Sequence, residues 1–143
     1  MPTSADHTLY AVDTSVAVAA LDATHAAHDA CRRIVQAHRP ALAGHAAFET
    51  FSVLTRMPGA LRVDPPTAAD IMSRVFLETL WLTAEQSSAL LDHLGPAGVS
   101  GGAVYDALVG EAARHSGRTL LTRDRRAGST YALLGVPFAL VGP

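Results

Sequence analysis

Apolar and polar positions change period several times along this chain. Thr8 to Val12 is a short, β-favouring apolar run closed by Asp13, and Arg118 to Thr122 is a second. Unbroken apolar runs of this length predict strands covered on both faces, as in a parallel sheet. Pro40 to Gly44 predicts a weaker strand that stops at its glycine, and Thr79 to Leu82 a brief one. Val136 to Val141 predicts an edge strand, the place where Pro137 is tolerated. Between these runs the period lengthens to that of helices. Ser15 or Thr14 caps a short helix to about Leu21, and His25 to His38 carries Ala27, Cys31, Ile34 and Val35 on one side. His45 to Met57 repeats Phe48, Phe51 and Leu54 at three-residue steps and stops at Pro58-Gly59.

Further helices are expected from Thr67 to about Leu77, where Thr67 and Asp70 resemble a capping box, and from Thr83 to Gly95-Pro96. A glycine-rich loop, Pro96 to Gly102, precedes a helix over Ala103 to His115, and a last short helix spans Ser129 to Leu134. Strands alternating with helices predict an α/β domain around a mostly parallel sheet. Residues 1–7 are polar and read as an arm, and the 143 residues read as one domain.

Four acidic residues break this pattern. Asp13 ends an apolar run, Glu49 and Asp106 interrupt apolar helical stretches, and Asp124 lies just beyond Thr119-Leu120-Leu121-Thr122. A carboxylate among apolar neighbours costs several kcal/mol, on the order of the usual burial penalties, unless something pairs with it. Asp13 and Asp124 sit where strand ends converge in an open parallel sheet, although each could instead cap the helix or turn that follows. Around Asp106, three of Gly102, Ala103, Val109 and Gly110 are small, which leaves room for an ion and its water. Around Glu49 stand His45, Ala46, Ser52 and Val53, none of them a lysine or arginine.

Composition sharpens this reading. The chain has no lysine; all 11 of its basic residues are arginines, a bias that GC-rich coding accounts for as readily as phosphate binding does. The formal net charge of −2 supplies no global attraction for nucleic acid, so any such contact must be local. Arg123, Arg125 and Arg126, flanking Asp124, are the densest cluster and the candidates to grip phosphates; a solvated turn is the competing reading. The single Cys31 forbids an internal disulfide and fits a reducing, cytoplasmic setting. Leu9 to Leu21 contains Asp13 and no basic flank, so neither a signal peptide nor a membrane span is expected.

The missing partner of four carboxylates is then a divalent cation. Oxygen ligands with no cysteine or histidine at ligand spacing suit Mg²⁺ or Mn²⁺ better than Zn²⁺. Such an ion lowers the pKa of bound water and stabilises charge on a phosphate, the chemistry of phosphodiester hydrolysis. Weaker candidates remain by the side. His25 and His28 are spaced to share a metal but read more simply as an exposed face, and His45 is a possible substrate contact. Trp81 reads as core or interface, and Glu111 as solvent-facing or paired with Arg114 or His115.

Val12-Asp13-Thr14-Ser15, Phe48-Glu49-Thr50, Val104-Tyr105-Asp106-Ala107-Leu108 and Leu120-Leu121-Thr122-Arg123-Asp124 recur in this order in PIN-domain proteins. The chain resembles these, and among them the VapC toxins of bacterial toxin–antitoxin pairs, from about Leu9 to Val141. The resemblance implies a Rossmann-like three-layer α/β/α sandwich and an Mg²⁺- or Mn²⁺-dependent endoribonuclease acting on structured RNA such as tRNA or rRNA. It also implies a homodimer and a cognate VapB-type antitoxin that inserts a segment into the active-site groove.

Carried over, Asp13, Glu49, Asp106 and Asp124 are the acidic set. Asp13, Asp106 and Asp124 would hold the ion, and Glu49 would complete its shell or orient the attacking water. Thr14 or Ser15 matches a hydroxyl near the metal, and Thr122 the hydroxyl before the last aspartate. Arg125-Arg126-Ala127-Gly128 departs from relatives that place an aromatic residue there. Two other classes stay in view: a non-catalytic PIN-like module, and a phosphatase of the haloacid dehalogenase type. The latter needs a second aspartate where Ser15 stands.

Overall fold

The computed structural model describes residues 7–142, so all but His7 of the expected arm lies outside the described residues. Strands β1 (Tyr10–Val12), β2 (Ala41–Ala43), β3 (Thr79–Leu80), β4 (Thr119–Thr122) and β5 (Phe138–Leu140) form one sheet in the order β3-β2-β1-β4-β5. Every neighbouring pair is parallel, with Ala11 opposite Ala41 and Leu120, and β5 lies at an edge as expected from Pro137. The helices are α1 (Thr14–Leu21), α2 (His28–His38), α3 (Ala46–Arg56), α4 (Pro65–Val75), α5 (Ala84–Ala97), α6 (Ala103–His115) and α7 (Arg125–Leu133). A 3₁₀ turn spans Gly59–Leu61. Among the described residues, no helix is long and apolar enough to cross a membrane.

Alternate residues of each strand face opposite layers, which is why the strands read as continuous apolar runs. Ala11, Ala41, Ala43 and Leu120 pack against Val109, Ala112 and Ala113 of α6 and Ala127 and Tyr131 of α7. Val12, Leu42 and Leu121 face the other way, onto Val16, Ala17 and Ala20 of α1 and Cys31 and Val35 of α2. The result is a three-layer α/β/α sandwich. Small side chains on the first face bring α6 close to the sheet. Gly44 marks the tightest point: its φ is +52°, and a Cβ there would lie 3.0 Å from the Leu80 carbonyl oxygen and 3.1 Å from Ala112 Cβ.

Several boundaries differ from the sequence reading, each for a local reason. α4 begins at Pro65, capped by Asp64, which accepts the Thr67 N–H at 3.2 Å; two prolines lacking N–H groups suit a first turn. The Thr67 hydroxyl binds Asp64, and Asp70 pairs with Arg74, so Thr67 and Asp70 form no capping box. α5 has a true capping box, Thr83 with Gln86, and continues through Pro96 until Gly98 turns left-handed. α2 starts at His28 because Asp22 and His25 close local turns by accepting the N–H groups of Thr24 and Ala27. α7 starts four residues before Ser129, since Asp124 supplies its cap.

Thr50 of α3 is fully buried, and its hydroxyl finds no partner among the described residues. A buried unsatisfied hydroxyl costs about 1–3 kcal/mol. Thr50→Val keeps the shape and removes the polar atom, so urea denaturation should show a gain of about 1 kcal/mol. A loss of stability would show that the hydroxyl is satisfied in solution.

Candidate active site at the ends of the central strands

The strand order reverses between β1 and β4, and in open α/β sheets the crevice beyond that point is where ligands bind. Asp13 follows β1 directly, and Asp124 stands two residues beyond β4. Both also cap helices, so the capping and site readings are one arrangement. Asp13 Oδ1 accepts the N–H groups of Ser15 at 3.0 Å and Val16 at 3.4 Å and the Ser15 hydroxyl at 2.6 Å. Its Oδ2 accepts the Tyr131 hydroxyl at 3.0 Å. Asp124 Oδ1 accepts the N–H groups of Arg126 at 2.9 Å and Ala127 at 3.3 Å. Hydroxyls brace the two caps against each other: Ser15 Oγ accepts the Arg123 N–H at 2.8 Å, and Thr122 Oγ1 accepts the Asp124 N–H at 3.0 Å. The two oxygens themselves stand 3.4 Å apart.

Glu49 arrives from α3 and Asp106 from α6. With Asp13, Thr14, Ser15, Val109, Asp124 and Tyr131 they line a cavity of about 100 Å³. Thr14 Oγ1 donates to Glu49 Oε1 at 3.4 Å. Among the described residues, no arginine or histidine lines this cavity. Arg126 Nε stands 4.0 Å from Asp124 Oδ1, at the exposed edge. Burial holds Asp13 above the ordinary carboxylate range, against the lowering effect of its hydrogen bonds. Asp106 is pushed up to about 6, first by burial and then by the charges of Asp124, Glu49 and Asp13.

The donor set fits a hard divalent cation, since it is oxygen only and gathers four carboxylates with Arg126 at the exposed edge as a partial counter-charge. Among the described residues no three His, Cys, Asp or Glu groups stand close enough to form a ready-made cage. An ion placed here would be held partly through water.

A family model described as the PIN domain matches residues 10–133. The chain belongs to the PIN-domain family. Two relatives from Mycobacterium tuberculosis place it among the VapC-type PIN proteins. It is 45% identical to Ribonuclease VapC27 over 126 residues, 88% of this chain and 92% of that one. It is 44% identical to Ribonuclease VapC40 over 137 residues, 93% of this chain and 99% of the other. The fold matches the M. tuberculosis VapC20 crystal structure, described as a sarcin–ricin loop cleaving toxin, at TM-score 0.65 and 23% identity, over 84% of this chain and 93% of that one. It matches VapBC2 from Rickettsia felis, solved bound to a DNA fragment from its promoter, at TM-score 0.65 and 14% identity, over 93% and 98% of the two chains.

The remaining candidate residues of this PIN domain scatter. Arg126 lines an adjoining cavity of about 330 Å³ with Gly102, Ala103, Asp106, Asp124 and Thr130. Arg125 is exposed on the first turn of α7. Arg123 is half-buried, with an enclosed Nε that finds no partner, and its charge acts on Cys31 on the far layer. Of the small residues near Asp106, Gly102 and Ala103 do border open space, but Gly110 does not. A Cβ there would lie 2.9 Å from the Tyr131 ring and 3.0 Å from Val136. Glu111 is buried and pairs with Arg114 at 2.8 Å and His115 at 3.3 Å. His25 and His28 form no metal pair: His28 Nδ1 lies 2.9 Å from the Ala19 carbonyl, and His25 Nδ1 accepts the Ala27 N–H.

Tyr131 is the site residue that sequence reasoning missed. Its only signal is a lone tyrosine in a short helix, whose hydroxyl needs a partner once the ring is buried.

Proposed function

We propose that this PIN domain is an endoribonuclease, the toxin of a toxin–antitoxin pair, that hydrolyses phosphodiester bonds in structured RNA with Mg²⁺ or Mn²⁺. The observation that carries the reading is four carboxylates, from two strand ends and two helices, lining one cavity without a base. The names of the two relatives that match at 44–45% identity support the ribonuclease activity. A bound ion would supply a water of lowered pKa and a counter-charge for the phosphate. Asp13, Asp106 and Asp124 would hold it, directly or through water. Asp13 is fixed in orientation by Ser15 and Tyr131, so its geometry is set before substrate arrives. Glu49, braced by Thr14, stands across the cavity and would orient the attacking water. The R. felis structure holds a VapB–VapC pair, which supports a VapB-type antitoxin as partner, and a homodimer belongs to the same reading.

The test is incubation of purified protein with total RNA, followed by mapping of new 5′ ends. A few discrete cuts are expected with Mn²⁺ or Mg²⁺ and none in chelator. Equal cutting in chelator would overturn the metal dependence. No cutting under any condition would leave a non-catalytic module.

A further inference from the structure

The groove beside the acidic cavity is lined with rings. His45 and Tyr105 stack at 5.1 Å between centroids with planes 19° apart, and Phe48 lies 6.3 Å from His45. Tyr105 is 50% exposed and Phe48 64%, an unusual display for side chains next to a charged site. Both are chain neighbours of site acids, Tyr105 of Asp106 and Phe48 of Glu49, so the helices that aim the carboxylates also aim the rings. The groove they border contains Thr14 and Glu49, which line the acidic cavity too, so the two spaces adjoin. Arg56 lines the same groove about two helical turns beyond Glu49 on α3, and Arg126 lines the cavity that adjoins Asp106 and Asp124. The rings, the acids and the two arginines therefore border adjoining spaces.

We propose that Tyr105, backed by His45, and Phe48 form a stacking shelf for an unpaired RNA base next to the bond that is cut, with Arg56, farther along α3 past Glu49, taking a phosphate. This deepens the ribonuclease reading and rests on it. Single-stranded nucleic acid is held in this way, by bases on aromatic faces and backbone on arginines, and such stacking tolerates any base. Base-paired RNA buries the faces the shelf needs, so the substrate class is loop or otherwise unpaired RNA. A protein segment is the less favoured occupant. The more apolar groove that suits one is the neighbouring space between α3 and α4, which Phe48 also lines, with Leu42, Phe51, Met72 and Phe76.

The experiment uses a short unpaired RNA carrying 2-aminopurine, the same RNA in duplex form, and the cleavage-impaired Asp106→Asn protein. Binding of the unpaired RNA should quench the 2-aminopurine, and the duplex should give little quenching. Adding Tyr105→Leu or Phe48→Ala should weaken unpaired-RNA binding on the order of tenfold. In the otherwise native protein the same changes should raise KM for cleavage of total RNA fragments. Both side chains are exposed, so melting curves should stay close to those of the parent protein. If the native chain cuts RNA while these variants bind and cut like it, the shelf is refuted and the nuclease stands. In that case the rings serve a protein partner or none. If nothing is cut but quenching is lost in the variants, the shelf stands and the nuclease reading falls. Absence of both quenching and cutting refutes both.

Discussion

Asp106→Asn protein should lose RNA cleavage by at least about a hundredfold and, in chelator at pH 7.5, should melt higher than the parent. The two effects have one origin. Asp106 is held up at about 6 by burial and by three neighbouring carboxylates, so its charge is disfavoured in the folded state. An acid whose folded pKa is raised contributes stability below its unfolded pKa and loses it as pH rises through the folded value. The metal-free protein should therefore weaken between about pH 4 and about pH 6 and level off above that. A shift from 3.8 to about 6 corresponds to about 3 kcal/mol at full burial, but Asp106 is partly exposed, and solvent screening reduces this to about 1 kcal/mol.

Asparagine removes the charge and keeps the shape. The expected gain is a few degrees in Tm at pH 7.5, and close to none at pH 4, where the parent is already protonated. Adding Mn²⁺ should then reverse the order, raising the Tm of the parent more than that of the variant. Scanning calorimetry at two pH values, with and without the ion, checks all of this. Equal Tm values in chelator would show that the carboxylates do not repel, and full cleavage by the variant would sink the mechanism.

Much of this arrangement was legible in the sequence because it is written in local rules. Five short, largely apolar runs, among them Thr8 to Val12 closed by Asp13 and Pro40 to Gly44 closed by its glycine, gave the strands, and three-residue steps such as Phe48, Phe51 and Leu54 gave the helices. The four acids stood out because each violates the pattern of its own segment. What stayed hidden depends on contacts across the fold. Gly110 looked like space for an ion, yet it clears room for the Tyr131 ring, 21 positions along the chain. Arg123 looked like its neighbours in a basic cluster, but the turn after β4 sends it into the protein while Arg126 borders the site. Helix starts shifted where caps compete: Asp64 and Asp124 each opened a helix earlier than the apolar periodicity alone indicates. Capping and catalysis also looked like rival readings of Asp13 and Asp124. In the fold the cap is what fixes the carboxylate, so the two readings merge.

Tyr131→Phe tests whether that fixation matters to function. The ring is almost fully buried, packed edge-on against Phe138 at 5.8 Å and seated over Gly110, and phenylalanine preserves all of this. Only the hydroxyl bond to Asp13 Oδ2 is lost. Burial, and then the Asp13 charge, push Tyr131 well above the ordinary phenol range, so it remains a donor at every working pH. Its bond favours the charged form of Asp13, opposing the burial that favours the neutral one. Without the bond, the proton on Asp13 is harder to remove, and an ion needs that oxygen deprotonated.

Cleavage by the variant should fall about tenfold near pH 6.5, as for a group that orients a ligand, and should recover as pH is raised toward 8.5. The acid limb of the pH–rate profile should move to higher pH, and more Mn²⁺ should be needed for half-maximal rate at pH 6.5. Stability should drop by only about 1 kcal/mol. A purely structural tyrosine would give that last change alone. A variant that melts slightly lower but keeps the parent's pH profile and Mn²⁺ requirement would show that Ser15 and the helix cap position Asp13 unaided.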